Sequence, residues 1–374
     1  MVANMQNETY VIIRNAFSLA IPAEQTRQEA TACYSTQVRD AILELCKTKK
    51  YTPVVARYLI ELGIDADFWQ AKYDEFLQRN RNILGFVSRL FDLFAERGIN
   101  SPFVYENFGA LLESGTDITL YASGDVDLCA NIADYSAIIE VMNSLGFAEH
   151  QGNVKFFNMF RTGFQGKIGE MDYRINVMFT PLVRYKLPIR ISKAILSPEN
   201  FQFYEGTKIR IPTTEVLLYL NLLRISVHGY VRSPDIRLYV DIYNASVRNP
   251  DWQKILNWAK NDGTAIRVAV AAGIAHHMLG THVPEAVLSL LDSKMAAALM
   301  AVVYDCERKM LKLHPSRLDR FRTEFYSDGH GMIRGILSML FPDKNWLKAY
   351  YAVGKESLLK IYIRYFGYLV KGKI

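Results

Sequence analysis

The apolar positions along the chain recur at helical spacing through the first hundred residues. Val38, Ile42, Leu45 and Cys46 lie one to two turns apart between Gln37 and Lys47, which predicts one helix. Pro53 opens a second helix through Leu62, with Gly63 in the position where helices stop. Phe68, Tyr73, Phe76, Leu84, Val87, Leu90, Phe91 and Phe94 continue the same period and predict one long helix, closed by Gly98. The pattern then shortens. Residues 102–108 read as a short strand, Gly109 to Glu113 as the start of a helix, and Ser114-Gly115-Thr116-Asp117 as a turn. Asp134 is placed to cap a helix running to Leu145. Residues 147–160 suggest a hairpin about Gly152-Asn153, and Lys167 to Phe179 reads as a further strand, ended by Pro181. Helical spacing returns at Thr213 and predicts helices at about 213–227, 238–247, 251–260, 264–279, 284–291, 293–311, 331–340 and 345–370. The polar stretch Arg317 to His330 reads as a loop.

The order of elements divides the chain into an N-terminal helical region (1–98), a mixed α and β core (99–212) and a C-terminal helical region (213–374). The predicted class is α+β, a mixed-sheet core flanked by helices. Half of the residues are apolar and 22% are charged, with 22 Tyr and 20 Phe, so the chain is expected to pack rather than stay disordered. A net charge of +6 suits anionic ligands such as nucleotides, without itself implying nucleic acid. The four cysteines, Cys33, Cys46, Cys129 and Cys306, are scattered. They form no zinc-binding pattern and read as buried thiols of a reducing compartment. His276 and His277 are adjacent, so on a helix one is expected in the core and one outside. No basic stretch followed by an apolar run marks a signal peptide, and no apolar run nears the roughly 20 residues of a membrane helix. The expected location is the cytoplasm, with no membrane partner.

Candidate chemistry is concentrated in Ser123-Gly124-Asp125-Val126-Asp127-Leu128. On a strand, alternate side chains share a face, so Asp125 and Asp127 point together while Val126 and Leu128 point away. Two carboxylates on one face at a strand end suit a hard divalent cation, with water and substrate phosphates completing its shell. By itself Asp-x-Asp is also what a solvated turn before a strand looks like. The later segment Ile168, Glu170, Asp172, Arg174 and Asn176 puts a third carboxylate on another polar face, if 167–179 is one strand. Trp252 and Trp258 read as core, and His228 as a packing or capping residue.

With these residues the chain resembles a nucleotidyltransferase of the DNA polymerase β superfamily. It is most similar to an uncharacterised bacterial nucleotidyltransferase family found near some natural-product and lasso-peptide gene clusters. The resemblance runs from about Gln37 to about Val370. It is carried by Phe108-Gly109-Ala110, Gly124-Asp125-Val126-Asp127-Leu128, Leu145-Gly146-Phe147, Met171-Asp172-Tyr173, residues 236–241, Asp251-Trp252 and residues 341–347. It implies a polymerase β-like core that binds Mg²⁺ or Mn²⁺ and moves a nucleoside monophosphate from a nucleoside triphosphate, ATP among the candidates, to an acceptor, releasing pyrophosphate. In that reading Asp125, Asp127 and Asp172 are the catalytic, metal-binding carboxylates. Gly109, Ser123, Gly124, Arg174 and Arg237 bind the nucleotide, with Arg237 and Asp241 facing one another on a helix. Arg224 and Arg237 are expected near the catalytic sheet, one of them touching substrate. The sequence departs from the family's pattern at Phe108, where a Lys is common, at Tyr121, where an Arg is common, and at Arg174, where a His is frequent. Two phosphate-binding cations are therefore missing from their usual places.

The rivals are a nucleotide-binding protein with impaired catalysis, a toxin-like enzyme that adds nucleotides to tRNA, and a glycosyltransferase. The last is disfavoured because the residues before the motif are helical rather than a sugar-nucleotide-binding α/β region. The acceptor is unnamed by the sequence, with a small molecule or peptide preferred over RNA.

Overall fold

The computed structural model describes residues 2–17, 23–149, 161–181, 183–184, 187–188, 191–227, 230, 236–309, 311, 313–314, 317–318, 337, 340–342, 344, 347–348 and 357–370. It opens with helices α1 (Val2–Phe17), α2 (Ala23–Cys33), α3 (Thr36–Lys49), α4 (Thr52–Glu61) and the long α5 (Ala66–Glu96). The periodicity of Phe68 to Phe94 is thus one continuous helix. Its apolar stripe Ile83, Val87, Leu90, Phe91 and Phe94 is buried.

A five-stranded mixed sheet follows, in the order β1-β2-β5-β4-β3. Its strands are β1 (Phe103–Val104), β2 (Asp125–Cys129), β3 (Ala148–Glu149), β4 (Arg161–Ile168) and β5 (Met171–Met178), with α6 (Glu106–Ser114) and α7 (Tyr135–Ser144) inserted. β2 and β5 run parallel and the other pairings are antiparallel. The alternation sorts the two faces. Val126, Leu128, Phe164, Tyr173, Ile175 and Val177 pack in one apolar cluster with α5 and α7, while Asp125, Asp127, Arg174 and Asn176 share the opposite face. The protein is α+β.

Two small ribbons, β6 (Val183–Arg184) with β7 (Leu187–Pro188) and β8 (Phe201–Phe203) with β9 (Arg210–Pro212), lead into the C-terminal helices. These are α8 (Thr214–Val227), α9 (Ile236–Ser246), α10 (Trp252–Asp262), α11 (Ala265–Leu279), α12 (Glu285–Leu288), α13 (Lys294–Arg308) and α14 (Leu358–Val370). Their core centres on α8 and on the buried run Val268–Ala272 of α11. Small side chains there let neighbouring helices approach closely. Trp252 and Trp258 are both in this core. A third cluster joins α1, α3, α4 and Trp69 of α5 to Ile236 of α9, so the N-terminal and C-terminal helices touch beside the sheet. Among the described residues no single helix is long and apolar enough to cross a membrane.

Four local expectations need correction. Residues 102–108 are not one strand: β1 ends at Val104 and α6 has begun by Glu106. The change of direction is made at Glu106, whose φ of 56° is left-handed, a conformation nothing in its side chain announces. Residues 167–179 are not one strand either. Ile168 and Met171 are paired across a two-residue turn, with Gly169 at φ 62° as hairpins with glycine first require. Ile168 is therefore buried and Glu170 lies in the turn, off the polar face. Asp134 precedes α7 but makes no side-chain cap; it accepts instead from Ser101 Oγ at 2.5 Å. Cys33 is only half-buried, whereas Cys46, Cys129 and Cys306 are buried thiols. His276 is half-buried, with Nδ1 2.8 Å from the Thr281 carbonyl, and His277 is exposed. The turn at 152–153, His228, most of the 317–330 loop and most of the predicted helix at 331–340 lie outside the described residues.

Gly109 falls inside α6, with its Cα against the end of β1. A Cβ there would stand 2.8 Å from the Val104 carbonyl oxygen and 3.6 Å from Leu217 Cδ2. Close helix–strand packing requires this glycine, which is buried. Gly109→Ala is expected to lower unfolding stability by roughly 1–3 kcal/mol, the usual cost of overpacking, measured as a lower urea midpoint at unchanged slope.

Candidate active site

The site is built where β2 leaves its entry loop. α5 fixes that loop. Asn80 Nδ2 donates to the carbonyls of Ile118 (2.7 Å) and Tyr121 (2.8 Å), and Arg79 Nη2 donates to the Ser123 carbonyl. The Tyr173 hydroxyl on β5 reaches the same Ser123 carbonyl at 3.1 Å, and the Tyr121 hydroxyl donates to the Asp125 carbonyl. With its backbone pinned on several sides, the loop delivers Asp125 and Asp127 to the polar face of the sheet.

The two carboxylates converge on one amide. Asn176 stands directly opposite Asp127 in the parallel register. Its Nδ2 donates to Asp125 Oδ2 at 2.9 Å and to Asp127 Oδ1 at 3.0 Å. The other oxygen of Asp125, Oδ1, accepts from Ser123 Oγ at 2.6 Å and from Lys50 Nζ at 3.4 Å. Lys50 also donates to Ser123 Oγ at 2.8 Å. It comes from the end of α3, where its own backbone is left-handed at φ 61° and its N–H caps the Cys46 carbonyl.

Behind Asp127 lies a second charged group. Glu106, at the start of α6, is clamped by Arg224 of α8 at 2.5 Å, and Arg224 donates to Asn107 Oδ1 at 2.8 Å. These charges tune the pair in opposite directions. Burial raises the proton affinity of Asp127, the negative charges of Glu106 and Asp125 raise it further, and Arg224 offsets only part, so its pKa sits well above the carboxylate range. Burial acts the same way on Asp125. There the Ser123 hydroxyl, the Lys50 charge and Asn176 outweigh it, and the pKa is lowered.

The linkage signs follow. Asp125 contributes stability above its unfolded pKa that is lost as pH falls through its depressed folded pKa. Asp127 is the reverse: ionising it costs stability as pH rises above the ordinary carboxylate range. In a chelator, Asp127→Asn is therefore expected to raise the melting temperature at neutral pH by about 2 °C or more, the scale of a 1 kcal/mol change in a chain of this size. The difference should vanish near pH 4, where the native side chain is protonated.

A cleft of about 740 Å³, including its open mouth, adjoins the pair. It runs between α6, α9 and residues 120–123 and shares Lys50 and Ser123 with the carboxylates. Asn107, Arg237, Asp241 and Asn244 add polar groups, and Phe17, Val54, Leu111, Leu217 and Val240 apolar ones.

The predicted site residues separate on this geometry. Asp125 and Asp127 stand together. Asp172 does not join them: Arg174 is the residue opposite Asp125. Asp172 lies two positions earlier on an exposed strand end, roughly 7 Å further along at the rise of a β-strand. Among the described residues no group of three His, Cys, Asp or Glu side chains could hold a metal ion. Ser123 is buried and acts through its hydroxyl on Asp125. Gly124 is exposed, with nothing within 4 Å of where a Cβ would be, leaving open space before the pair. Arg174 is exposed on the polar face. Arg237 lines the cleft, whereas Arg224 is buried in its ion pair with Glu106. Asn176 was placed on the polar face but given no role, and Lys50, Glu106 and the anchors on α5 were missed. Asn176 had a signal, since it alternates with Arg174. Lys50 had none, because it is 75 residues from its partner.

The family described as uncharacterised nucleotidyltransferase matches residues 36–280. The chain belongs to this family. One solved structure, that of the antibiotic-resistance factor ANT(2'')-Ia, is similar at 14% identity and a TM-score of 0.33, over 54% of this chain and 97% of that one. No curated protein matches. At the two positions where the resemblance leads one to expect cations, this nucleotidyltransferase-family chain carries an aromatic pair. The Phe108 and Tyr121 rings lie 4.8 Å apart, and both residues are buried.

The divalent ion that the resemblance implies can be tested against these donors. Asp125 and Asp127 offer hard oxygen ligands, and the negative charge that Glu106 and Asp125 crowd around Asp127 is of the kind a cation neutralises. Mg²⁺ commonly takes one or two carboxylates from a protein and keeps water or phosphate oxygens for the rest. The pair fits one such ion; a three-carboxylate set with Asp172 for two ions is not formed.

Proposed function

We propose that this nucleotidyltransferase moves a nucleoside monophosphate from a nucleoside triphosphate to an acceptor. The acceptor nucleophile forms a bond to the α-phosphorus, the bond from that phosphorus to the bridging oxygen breaks, pyrophosphate leaves, and the acceptor's proton passes to solvent. The observation that carries the reading is the Asp125–Asp127 pair, bridged by Asn176, at the edge of a cleft lined with Lys50 and Arg237.

Asp125 and Asp127 would hold Mg²⁺ or Mn²⁺, which when bound supplies charge neutralisation for the phosphoryl oxygens. Asn176 keeps both carboxylates in one orientation before substrate arrives, so little reorganisation is needed during reaction. Ser123 fixes Asp125 from the other side. Arg174, exposed on the same face, and Lys50 present positive charge to a triphosphate.

Calorimetric titration of each nucleoside triphosphate, with Mg²⁺ or Mn²⁺, tests the reading. Binding of a nucleotide that needs the metal is expected for the native protein and not for Asp125→Ala/Asp127→Ala. Absence of binding to either protein would point to a fold without nucleotidyl transfer.

A further inference from the structure

Lys50 is an unusual residue to find at a carboxylate pair built for a cation. Its ammonium lies 3.4 Å from Asp125 Oδ1 and 2.8 Å from Ser123 Oγ. The same residue lines the cleft, and its side chain is 37% exposed, so it stands at the boundary between pair and cleft. Its backbone is held by the left-handed end of α3, but four rotatable bonds lie between that anchor and the charge. Phe108 and Tyr121 are packed ring on ring and bring no positive charge to the loop from inside.

We infer that Lys50 is an exchangeable cation of the site: it neutralises Asp125 while no divalent ion is bound, gives way when one arrives, and then binds polyphosphate at the cleft mouth. This rests on the nucleotidyltransferase reading and adds to it a charge carried in from the N-terminal helices. The argument is electrostatic. An ammonium and a divalent ion cannot share one carboxylate oxygen in a half-buried site without strong repulsion. Swinging the lysine into the cleft removes that repulsion and places the charge where a polyphosphate's charge would lie. A purely structural ion pair, in contrast, would help to hold Asp125 for the metal.

The two roles predict opposite effects of one substitution. Lys50→Met keeps the aliphatic stem and removes the charge. Calorimetry with Mn²⁺ alone is expected to show roughly 3- to 10-fold tighter binding to Lys50→Met than to the native protein, the scale of one lost partly exposed charge contact. Inorganic tripolyphosphate in saturating Mg²⁺ should bind the variant about tenfold more weakly, from loss of one ammonium contact. Lys50→Arg, which keeps the charge, should return both values to within about threefold of native. Thermal unfolding of each variant establishes that it is folded. Unchanged or weakened Mn²⁺ binding by Lys50→Met overturns the inference, as does unchanged tripolyphosphate binding. A native protein that binds neither Mn²⁺ nor Mg²⁺-tripolyphosphate overturns the nucleotidyltransferase reading and this inference together. One that binds both, with Lys50→Met indistinguishable from it, overturns this inference alone.

Discussion

Asp125→Asn and Asp127→Asn are each expected to weaken Mg²⁺-dependent nucleotide binding by roughly 100-fold or more, and Asp172→Asn to change it by less than about threefold. The contrast follows from register. Asp125 and Asp127 share Asn176, and a ligand bridging both carboxylates loses half its protein donors when either becomes an amide. Asp172 is on the same face of β5 but past the position paired with Asp125, with its side chain in solvent. The measurement is calorimetry of the nucleotide that binds native protein, at saturating Mg²⁺ and again in chelator. In chelator all three variants and the native protein should agree, because only the metal-dependent part is at stake. A large loss in Asp172→Asn would mean that β5 shifts along β2 when ligand binds, bringing a third carboxylate into the site.

Arg224→Met is expected to cost about 3–5 kcal/mol of unfolding stability. Arg224 is buried between α6 and α8, pairs with Glu106 at 2.5 Å and bonds Asn107. Removing it leaves Glu106 mostly buried and without its cation. The penalty is an uncompensated charge rather than lost packing, so the double variant Arg224→Met/Glu106→Gln should recover much of it. Urea unfolding of the single and double variants decides the matter. Additive losses would show that Arg224 acts by packing alone. The pair also holds Glu106 in its left-handed backbone, the bend that lets α6 follow β1 so closely, so the single variant should loosen the wall behind Asp127 as well.

The helices were legible because their information is local. The stripe from Ile83 to Phe94 marks α5, and the apolar runs after Thr214 mark α8 to α11, since a helix buries a face set by its own period. Asp125 and Asp127 were legible for the same reason: two residues apart on one strand must face the same way. The hairpin between β4 and β5 was missed because a two-residue turn interrupts the apolar pattern so briefly. Across Gly169-Glu170 the buried positions change from even to odd numbers, and that change moved Ile168 into the core. The packing role of Gly109 was not legible, because a glycine before a motif signals equally a close ligand and a close backbone. The 2.8 Å approach of the Val104 carbonyl decides for the backbone.

What the sequence determined by itself was therefore the long helix from Phe68 to Phe94 and the helical runs after Thr214, the α+β class, the nucleotidyltransferase likeness and the carboxylate pair. What only the tertiary structure decided was the company that pair keeps. The parallel pairing of β2 with β5 selected Asn176 over Asp172, the end of α3 supplied Lys50, and α8 supplied the Arg224 that holds Glu106. Each is a contact between residues far apart in sequence. Such contacts are set by packing geometry and by the need to pair buried charge, neither of which leaves a periodic trace along the chain.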